Sequence, residues 1–482
     1  MNSPRLGVLR LTCSLLLCCV VSACATVPVV DEPPAGDVGT SDIRMVGARG
    51  PLTRRQSQAI LSRLAQQTPD AGALERHIAV EQAIAESPLF TGNRVTILRD
   101  GEQTFPAMFA AIRAAQHSVL LEYYIFEDVS SDGEQLGDLL VAKAQAGVHV
   151  DLIYDGVGSI ATPADFFTRL QTAGVKVVQF NPPNPLHGGG HFSINARDHR
   201  KMLIADDTLV IVGGVNLSST YQSGPGGSQE SPAAANAPKD VWHDTDLQIE
   251  GPVVRALKKL FTEHWREQQG PSLDGEADAP APAPAASAPA PGAKAASAPG
   301  NEVVRIIGSA PKQLTSRYYV TVLSAIRNAE SSIWITSAYF VPTHQEKEGL
   351  MHAARSGIDV RLLLPSHSDS SPALQVQHSH YSDLLEAGVK IYERSGGILH
   401  SKTMVVDGVW SITGSSNFDH RSVLFNDEVD AVVLGKQTGE HLSAAFQSDL
   451  EHAQAIDLRT WRQRGALTKL REQFWKLWEK LL

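Results

Sequence analysis

The chain has 482 residues, 43% hydrophobic and 20% charged, which is material for two sizeable cores and excludes a disordered chain. Against 42 Lys and Arg stand 52 Asp and Glu, a formal charge of −10; an acidic body argues against a general nucleic-acid binder, because phosphate affinity is assembled from cations. All four cysteines (Cys13, Cys18, Cys19, Cys24) fall near the start, so the globular part can hold no disulfide framework.

Residues Met1 to Ala23 read as a leader, with Arg5 and Arg10 ahead of an apolar run, Leu11 to Val21, too short to span a bilayer comfortably. It ends in V-S-A-C, which resembles a bacterial lipobox and makes Cys24 the acylated residue. Ala25 follows, without the Asp that often retains lipoproteins at the inner membrane. The expectation is a lipid-anchored protein of the bacterial cell envelope facing the periplasm, compatible with the outer membrane. Ala25 to about Gly50 is Pro-, Val- and Gly-rich and reads as a tether. Helical patterns over Thr53 to Gln67 and Ala71 to Glu86 are expected as lead-in helices packed on the first half.

From there the chain repeats itself. A-I-R-A-A at Ala111 answers A-I-R-N-A at Ala325, and A-G-V-K at Ala173 recurs at Ala387 with the same spacing. Helical stretches alternate with β-rich runs: Val119 to Phe126, Val148 to Tyr154 and Val175 to Phe180, then Ile333 to Val341, Val360 to Leu364 and Val389 to Tyr392. The alternation predicts a duplicated α/β domain with a largely parallel sheet. The motif copies lie closer together than the flanking repeats, which puts extra loop residues within Asn181 to Asn195. Ser223 to Lys239 and the Ala-Pro tract Asp274 to Gly300 are low-complexity inserts, the second a linker between halves. The expected domains are a leader at 1–23, tether and lead-in helices at 24–90, a first α/β domain at 91–270, linker 271–302, a second α/β domain at 303–455 and a basic amphipathic tail at 456–482.

Within the repeat, H-R-K-M-L-I-A-D-D-T-L-V-I-V-G-G-V-N from His199 to Asn216 recurs as H-S-K-T-M-V-V-D-G-V-W-S-I-T-G-S-S-N from His400 to Asn417. Each copy reads as two short strands meeting at a turn, around Asp206-Asp207 and Asp407-Gly408. Residues two apart on a strand face one side, so His199 points with Lys201 and His400 with Lys402. Asn216 and Asn417, beside the small Gly214 and Ser415, can bring amide donors to the same place. Two His, two Lys and two Asn in one pocket suit a phosphodiester: Lys and Asn hold its oxygens, one neutral imidazole attacks phosphorus and the other, protonated, supplies the leaving group. No metal or cofactor is required. His187, His191, His378 and His380 lack convincing metal-ligand spacing. Tyr123, Tyr124, Tyr339 and Phe340 either wall an acyl or headgroup pocket or belong to the core.

The paired H-x-K-x4-D-x6-G-[GS]-x-N pattern resembles the HKD signature of the phospholipase D superfamily, and the surrounding chain, from about Gly92 onward, resembles bacterial cardiolipin synthases. The resemblance implies two tandem phospholipase D-like α/β sandwich domains related by pseudo-two-fold symmetry, with the active site at their interface. It implies a catalytic set of His199, Lys201, Asp206, His400, Lys402 and Asp407 and a phosphohistidine intermediate. It also implies an acid downstream of each motif that steadies that motif's own His, here Asp244 and Glu428; the bare alternative for both is a solvated turn carboxylate. The activity implied is phosphatidyl transfer on phosphatidylglycerol, with phosphatidylethanolamine as another donor. Two other readings stay open: a hydrolytic phospholipase D, and a membrane-tethered binding protein with retained motifs. The tail from Trp461, with Leu467, Leu470, Phe474, Leu477, Trp478 and Leu481 at helical spacing among Arg and Lys, suits either a membrane surface or a docked terminal helix.

Overall fold

A computed structural model describes residues 27–30, 43–67, 74–75, 77–79, 81–82, 87–182, 195–222, 241–273, 300–311, 313 and 316–482. The leader with Cys24, both low-complexity inserts, His187, His191 and most of the extra loop before the first motif lie outside those residues.

The first half is a mixed sheet. Its strands are β3 (Leu89–Arg99), β4 (Ser118–Tyr123), β7 (His149–Asp155), β8 (Lys176–Phe180), β10 (Lys201–Ala205), β11 (Leu209–Gly213) and β13 (Thr245–Glu250). They follow two short strands at the start of the chain, β1 (Met45–Gly47) and β2 (Gly50–Pro51), and enclose a small hairpin, β5 (Ser130–Ser131) with β6 (Glu134–Gln135). The order is β8-β7-β4-β10-β11-β13-β3; β4, β7 and β8 run parallel and the remaining neighbours antiparallel. The second half repeats this as β14 (Glu302–Ser309), β15 (Ser332–Thr336), β16 (Asp359–Pro365), β17 (Lys390–Arg394), β19 (Thr403–Val406), β20 (Trp410–Gly414) and β21 (Asn426–Leu434), with β22 (Ala453–Ala455) on its outer edge. The sheet is therefore not largely parallel as expected. The motif strands form hairpins, and a hairpin closed by a three-residue turn can only be antiparallel.

Those turns are where positive φ is needed. Asp206 and Asp207 sit at φ 49° and 55°, and Asp407 and Gly408 at 52° and 69°. Both hairpins thus carry the left-handed pair that matches strand twist, which Asp tolerates and Gly favours.

Strand alternation sorts the side chains into three large cores among the described residues, beside two small clusters. On β10, Leu203 and Ala205 face the helices of the first half, while Met202 and Ile204 face inward. The outer layer of the first half includes α2 (Asp100–Ala114), α3 (Leu136–Gln145) and α4 (Ala164–Thr172), and α5 (Val254–Glu267) closes the inner core. On the second half, α6 (Arg317–Arg327), α7 (His344–Arg355) and α8 (Ser371–Glu386) cover the outer face. Met202, Ile204, Val210, Val212, Leu247 and Ile249 of the first half share one core with Val304, Ile306, Val429, Ala431 and Val433 of the second. The long β3 also pairs with β14, so backbone and core both join the halves.

The lead-in region departs from expectation twice. Residues 45–51 are paired strands rather than tether, β1 running parallel to the start of β3. That pairing carries the chain toward the second half, and α1 (Arg54–Ala65), opened by a Thr53/Gln56 capping box, buries Leu61 and Leu64 in a core made mainly of second-half residues rather than first-half ones. Of the second lead-in pattern only 74–75, 77–79 and 81–82 are described, and they are helical. Glu81, fully buried there, pairs with Arg305 at 2.8 Å and accepts from the Trp410 indole at 2.8 Å, both second-half residues.

Candidate active site

Two further strand pairs cross between the halves and position the histidines. The short β9 (Arg197–Asp198), just before His199, pairs in parallel with the start of β21, Asp198 opposite Asp427. Reciprocally β12 (Trp242–His243), just before Asp244, pairs in parallel with β18 (Ile398–Leu399), just before His400. Main-chain bonds continue both registers by one residue: His199 N–H donates to Asp427 at 2.9 Å and His400 N–H to His243 at 2.7 Å. The next residue in each pair faces across, which brings His199 to Glu428 and His400 to Asp244.

The side chains follow. His199 Nδ1 lies 3.0 Å from Glu428 Oε2, and His400 Nδ1 lies 2.6 Å from Asp244 Oδ2. The acids are therefore exchanged relative to expectation: each steadies the other half's histidine, because parallel pairing across the seam puts it there. With each Nδ1 turned to a carboxylate, Nε2 is the other ring nitrogen on both histidines, and on His400 it has Lys402 Nζ 3.2 Å away. Both imidazoles line one cavity of about 330 Å³, together with Tyr124, Asn216, Trp242, Tyr339 and Asn417.

Burial sets the electrostatics. It lowers the His199 pKa, and Lys201 lowers it further against the pull of Glu428. His400 is held well below the ordinary range by burial and then by Lys402 and Lys201. Burial also brings Lys201 down to about 7 and lowers Lys402. Each ammonium donates to the backbone carbonyl of its own motif His, and Lys402 Nζ also sits 2.8 Å from His400 Nδ1. Glu428 is held below the ordinary carboxylate range: burial alone would raise it, but its contact and hydrogen bond with His199, the Lys201 charge and the Ser415 hydroxyl outweigh that. Asp244 is pushed up by burial to about 6.

The remaining expected residues divide. Asn417 lines the cavity, with its Oδ1 buried and without a partner, while Asn216 Oδ1 accepts from the Ile125 N–H at 3.1 Å and its amide faces Tyr221. Gly214 and Ser415 are not among the residues that line the cavity. A Cβ on Gly214 would stand 2.0 Å from Asp244 Oδ1, so glycine there admits the carboxylate, and the Ser415 hydroxyl donates to Glu428. Of the four aromatics, Tyr124 and Tyr339 line the cavity, while Tyr123 and Phe340, one residue away on extended chain, are core.

Asp206 and Asp407 are not in the site. Asp206 accepts the N–H groups of Gln116, His117 and Ser118 at 2.7–2.9 Å, and Asp407 those of Glu330, Ser331 and Ser332 at 2.7–2.9 Å. Each ties its hairpin turn to the entry of the neighbouring strand. At Asp206, burial pushes the pKa up, but the N–H groups of Ser118, Gln116 and His117 outweigh it and leave it lowered. This stabilisation is present above the ordinary carboxylate range and is lost as pH falls through the depressed value. Asp206→Asn, which keeps the left-handed turn, is expected to cost about 1–2 kcal/mol of stability in thermal or urea unfolding. The folded variant should turn over at the wild-type rate; a large drop in kcat with unchanged stability would return Asp206 to the chemistry.

Several further residues stand at the site, and of these the sequence singles out only Tyr124. The Tyr221 hydroxyl lies 3.0 Å from His400 Nδ1 and 3.4 Å from Asp244 Oδ2. Trp242 tilts against the His400 ring with centroids 4.7 Å apart, and Tyr124 meets His199 edge-on at 5.2 Å. Arg197, Asp369, Asp419 and Arg421 also line the cavity, Asp369 exposed and Asp419 buried. Asp246 and Asp430 hold the backbone after the Gly pairs through Val215 and Ser416. Behind β9, Arg200 bonds Glu122 at 3.0 Å and Asp427 at 3.4 Å, with His264 2.7 Å from Glu122. Among the described residues Glu122, Asp198 and His264 are the one trio whose ligand atoms converge, and the Arg200 cation sits on the same Glu122 oxygen as His264. That network anchors the crossing strand. His378 and His380 pair instead with Glu393 and Glu479.

The chain is similar to known proteins over most of its length. The family described as "Cardiolipin synthase, PLD-like domain" matches residues 108–224 and 322–450, one segment in each half. The chain is 34% identical over 404 residues to a cardiolipin synthase of Geobacillus sp. (strain WCH70), covering 83% of this chain and 74% of that one. It is 33% identical over 402 residues to the cardiolipin synthase of Alkalihalophilus pseudofirmus, with the same coverage. Among solved structures it is similar in fold to a phosphatidylserine synthase from Haemophilus influenzae, TM-score 0.58 at 11% identity, over 84% of this chain and all of that one.

Proposed function

Because the chain belongs to the cardiolipin synthase family of phospholipase D-like proteins, we propose that it is a phosphatidyltransferase that joins two molecules of phosphatidylglycerol and releases glycerol. The observation that carries this is the exchanged pair: two imidazoles, each held through Nδ1 by the other half's carboxylate, open onto one cavity with two lysines behind them.

The chemistry balances on those groups. One neutral imidazole attacks the donor phosphorus through Nε2, forming a P–N bond as the bond to the headgroup glycerol oxygen breaks. The other imidazole, protonated, gives its proton to that oxygen, and glycerol leaves. Burial keeps both rings neutral in the empty site, and the entering phosphodiester anion favours protonation of one of them. The acceptor's terminal hydroxyl then loses its proton to the now neutral imidazole and attacks phosphorus, and the P–N bond breaks. Lys201, Lys402 and Asn417 are suited to holding the non-bridging oxygens. Aromatic walls from Trp242, Tyr339 and Tyr124 around the two rings favour exclusion of water, hence transfer over hydrolysis.

The membrane is part of the reading. The tail is broken into α11 (Leu458–Arg462), α12 (Ala466–Lys476) and a last 3-10 turn, and it both docks and exposes an apolar face. Glu472 is buried against Arg464, while Leu467, Leu470, Phe474 and Leu477 are exposed beside Lys469, Arg471 and Lys480. Leu482 lines the cavity mouth. At the other end Val27 and Val30, close after Cys24, pack beside Val423 and Leu424 of the short helix α9 (His420–Leu424), whose Arg421 also lines the mouth. An acyl anchor on Cys24 and the face of α12 would together set the mouth against an anionic bilayer on the periplasmic side of the envelope. No helix among the described residues is long and apolar enough to cross a membrane.

The test is product analysis. Purified protein with phosphatidylglycerol vesicles should yield cardiolipin and glycerol without added metal; phosphatidic acid as the sole product would make it a hydrolase. Leu470→Glu with Phe474→Glu should weaken co-flotation with such vesicles about tenfold or more in protein made without the leader. Undiminished flotation would remove α12 from the membrane contact.

A further inference from the structure

The duplicated halves would give a symmetric mouth, and the mouth is not symmetric. On the side where β9 meets β21 stand Arg197, two residues before His199, and Arg421, four after Asn417. The matching positions on the other side are Ile398, two before His400, and Thr220, four after Asn216. That side also presents Trp242 where the first presents Asn426. One flank is thus doubly cationic and the other neutral and aromatic.

Both arginines line the one cavity, Arg197 with one nitrogen on the Ala196 carbonyl. Arg421 donates to the Asn195 carbonyl at 3.1 Å, which ties it to the strand entry that carries Arg197, and both charges act on the Tyr124 phenol. Two carboxylates share the mouth. Asp369 accepts from Tyr339 at 2.7 Å and from Ser368 at 3.1 Å, while Asp419, buried, caps α9 through the Ser422 N–H at 2.8 Å. Burial pushes Asp419 to about 7, so it offsets the arginines only in part at neutral pH.

From this geometry we infer that Arg197 and Arg421 form a second anion subsite, which holds the unreacting phosphodiester of the acceptor lipid while its terminal hydroxyl reaches the phosphohistidine. The inference rests on the transferase reading above. The central lysines meet the phosphate that reacts, and phosphatidylglycerol as acceptor brings another, three carbons from the attacking oxygen. Water and free glycerol bring none. Guanidinium groups suit a phosphodiester because they offer paired donors to its two free oxygens. Selectivity for a lipid acceptor over a small alcohol would then reside on this flank.

The experiment sets two acceptors against each other after a common donor step. Full-length protein acts on phosphatidylglycerol in phosphatidylcholine vesicles with labelled glycerol present, and both cardiolipin and labelled phosphatidylglycerol are counted. Arg197→Gln with Arg421→Gln should lower the ratio of cardiolipin to labelled phosphatidylglycerol about 10- to 100-fold, and each single substitution about 3- to 10-fold. The single variants keep the test standing should the double variant not fold. Equal losses in both products would overturn the inference, since the arginines would then serve the donor, general attraction to anionic vesicles, or folding. An unchanged ratio would overturn it as well. Failure of the transferase reading is a separate result, seen as no cardiolipin from the unmodified protein.

Discussion

Alanine at either His199 or His400 is expected to lower phosphatidyl transfer at least about 10⁴-fold, because neither half of the displacement has a substitute group. The two histidines come from different halves and their Nδ1 atoms are both engaged by carboxylates, so each ring offers one reactive nitrogen to the shared cavity. A single-site scheme would leave one variant active. The two losses should therefore be similar with natural donor, whose alkoxide leaving group needs a proton. Stability should fall less than activity. His400 is buried, and its loss leaves Asp244 facing Tyr221, a residue that can still donate to it. Measuring kcat alongside the urea midpoint separates the two effects; substantial turnover in both variants would remove the shared-site mechanism.

Much of this was legible in the chain because the repeat is marked by chemistry as well as by pattern. The strands over residues 149–155, 176–180, 359–365 and 390–394 fall where runs of β-branched residues placed them. His and Asn of both copies line one cavity, and each motif Lys stands against its own His. The motif did not distinguish its chemical members from its structural ones. Asp206 and Asp407 recur as faithfully as His199 and His400, yet their recurrence follows from a turn that needs positive φ and a carboxylate that collects three N–H groups. Gly214 and Ser415 recur because an acid must pass close by. The exchange of Asp244 and Glu428 had no local signal: each acid is nearest in sequence to its own motif, and only strand pairing across the seam sends it to the other. Tyr221 and Arg421 lie in short helical turns without periodicity, so nothing separated them from ordinary loop residues. The tail showed its apolar face plainly; its break near Arg464, whose guanidinium stacks 3.3 Å over Trp461, did not follow from spacing.

The exchanged acids make a sharper prediction. Asp244→Asn and Glu428→Gln should each lower transfer by about 10²- to 10⁴-fold, since an amide can present its N–H to Nδ1 and fix the wrong tautomer. The informative step is a donor lipid whose headgroup is p-nitrophenol, a leaving group that departs without protonation. Release of p-nitrophenol in a single turnover then needs only the nucleophilic histidine and whatever orients it. The variant lacking the general acid should release it at near the wild-type rate, and so should the variant lacking that histidine's carboxylate. With the pairing seen here, rescue must come in matched sets: His199→Ala with Glu428→Gln, or His400→Ala with Asp244→Asn. Rescue of His199→Ala together with Asp244→Asn would mean that each acid serves its own motif, against the strand crossing. Acidification adds an independent check, because burial has raised Asp244 to about 6 whereas Glu428 is lowered. As pH falls through about 6, Asp244 takes up a proton and ceases to accept from His400, while Glu428 still holds His199. Activity should therefore drop on that limb through the His400 pair, and Asp244→Asn should weaken this limb of the profile while Glu428→Gln leaves it in place.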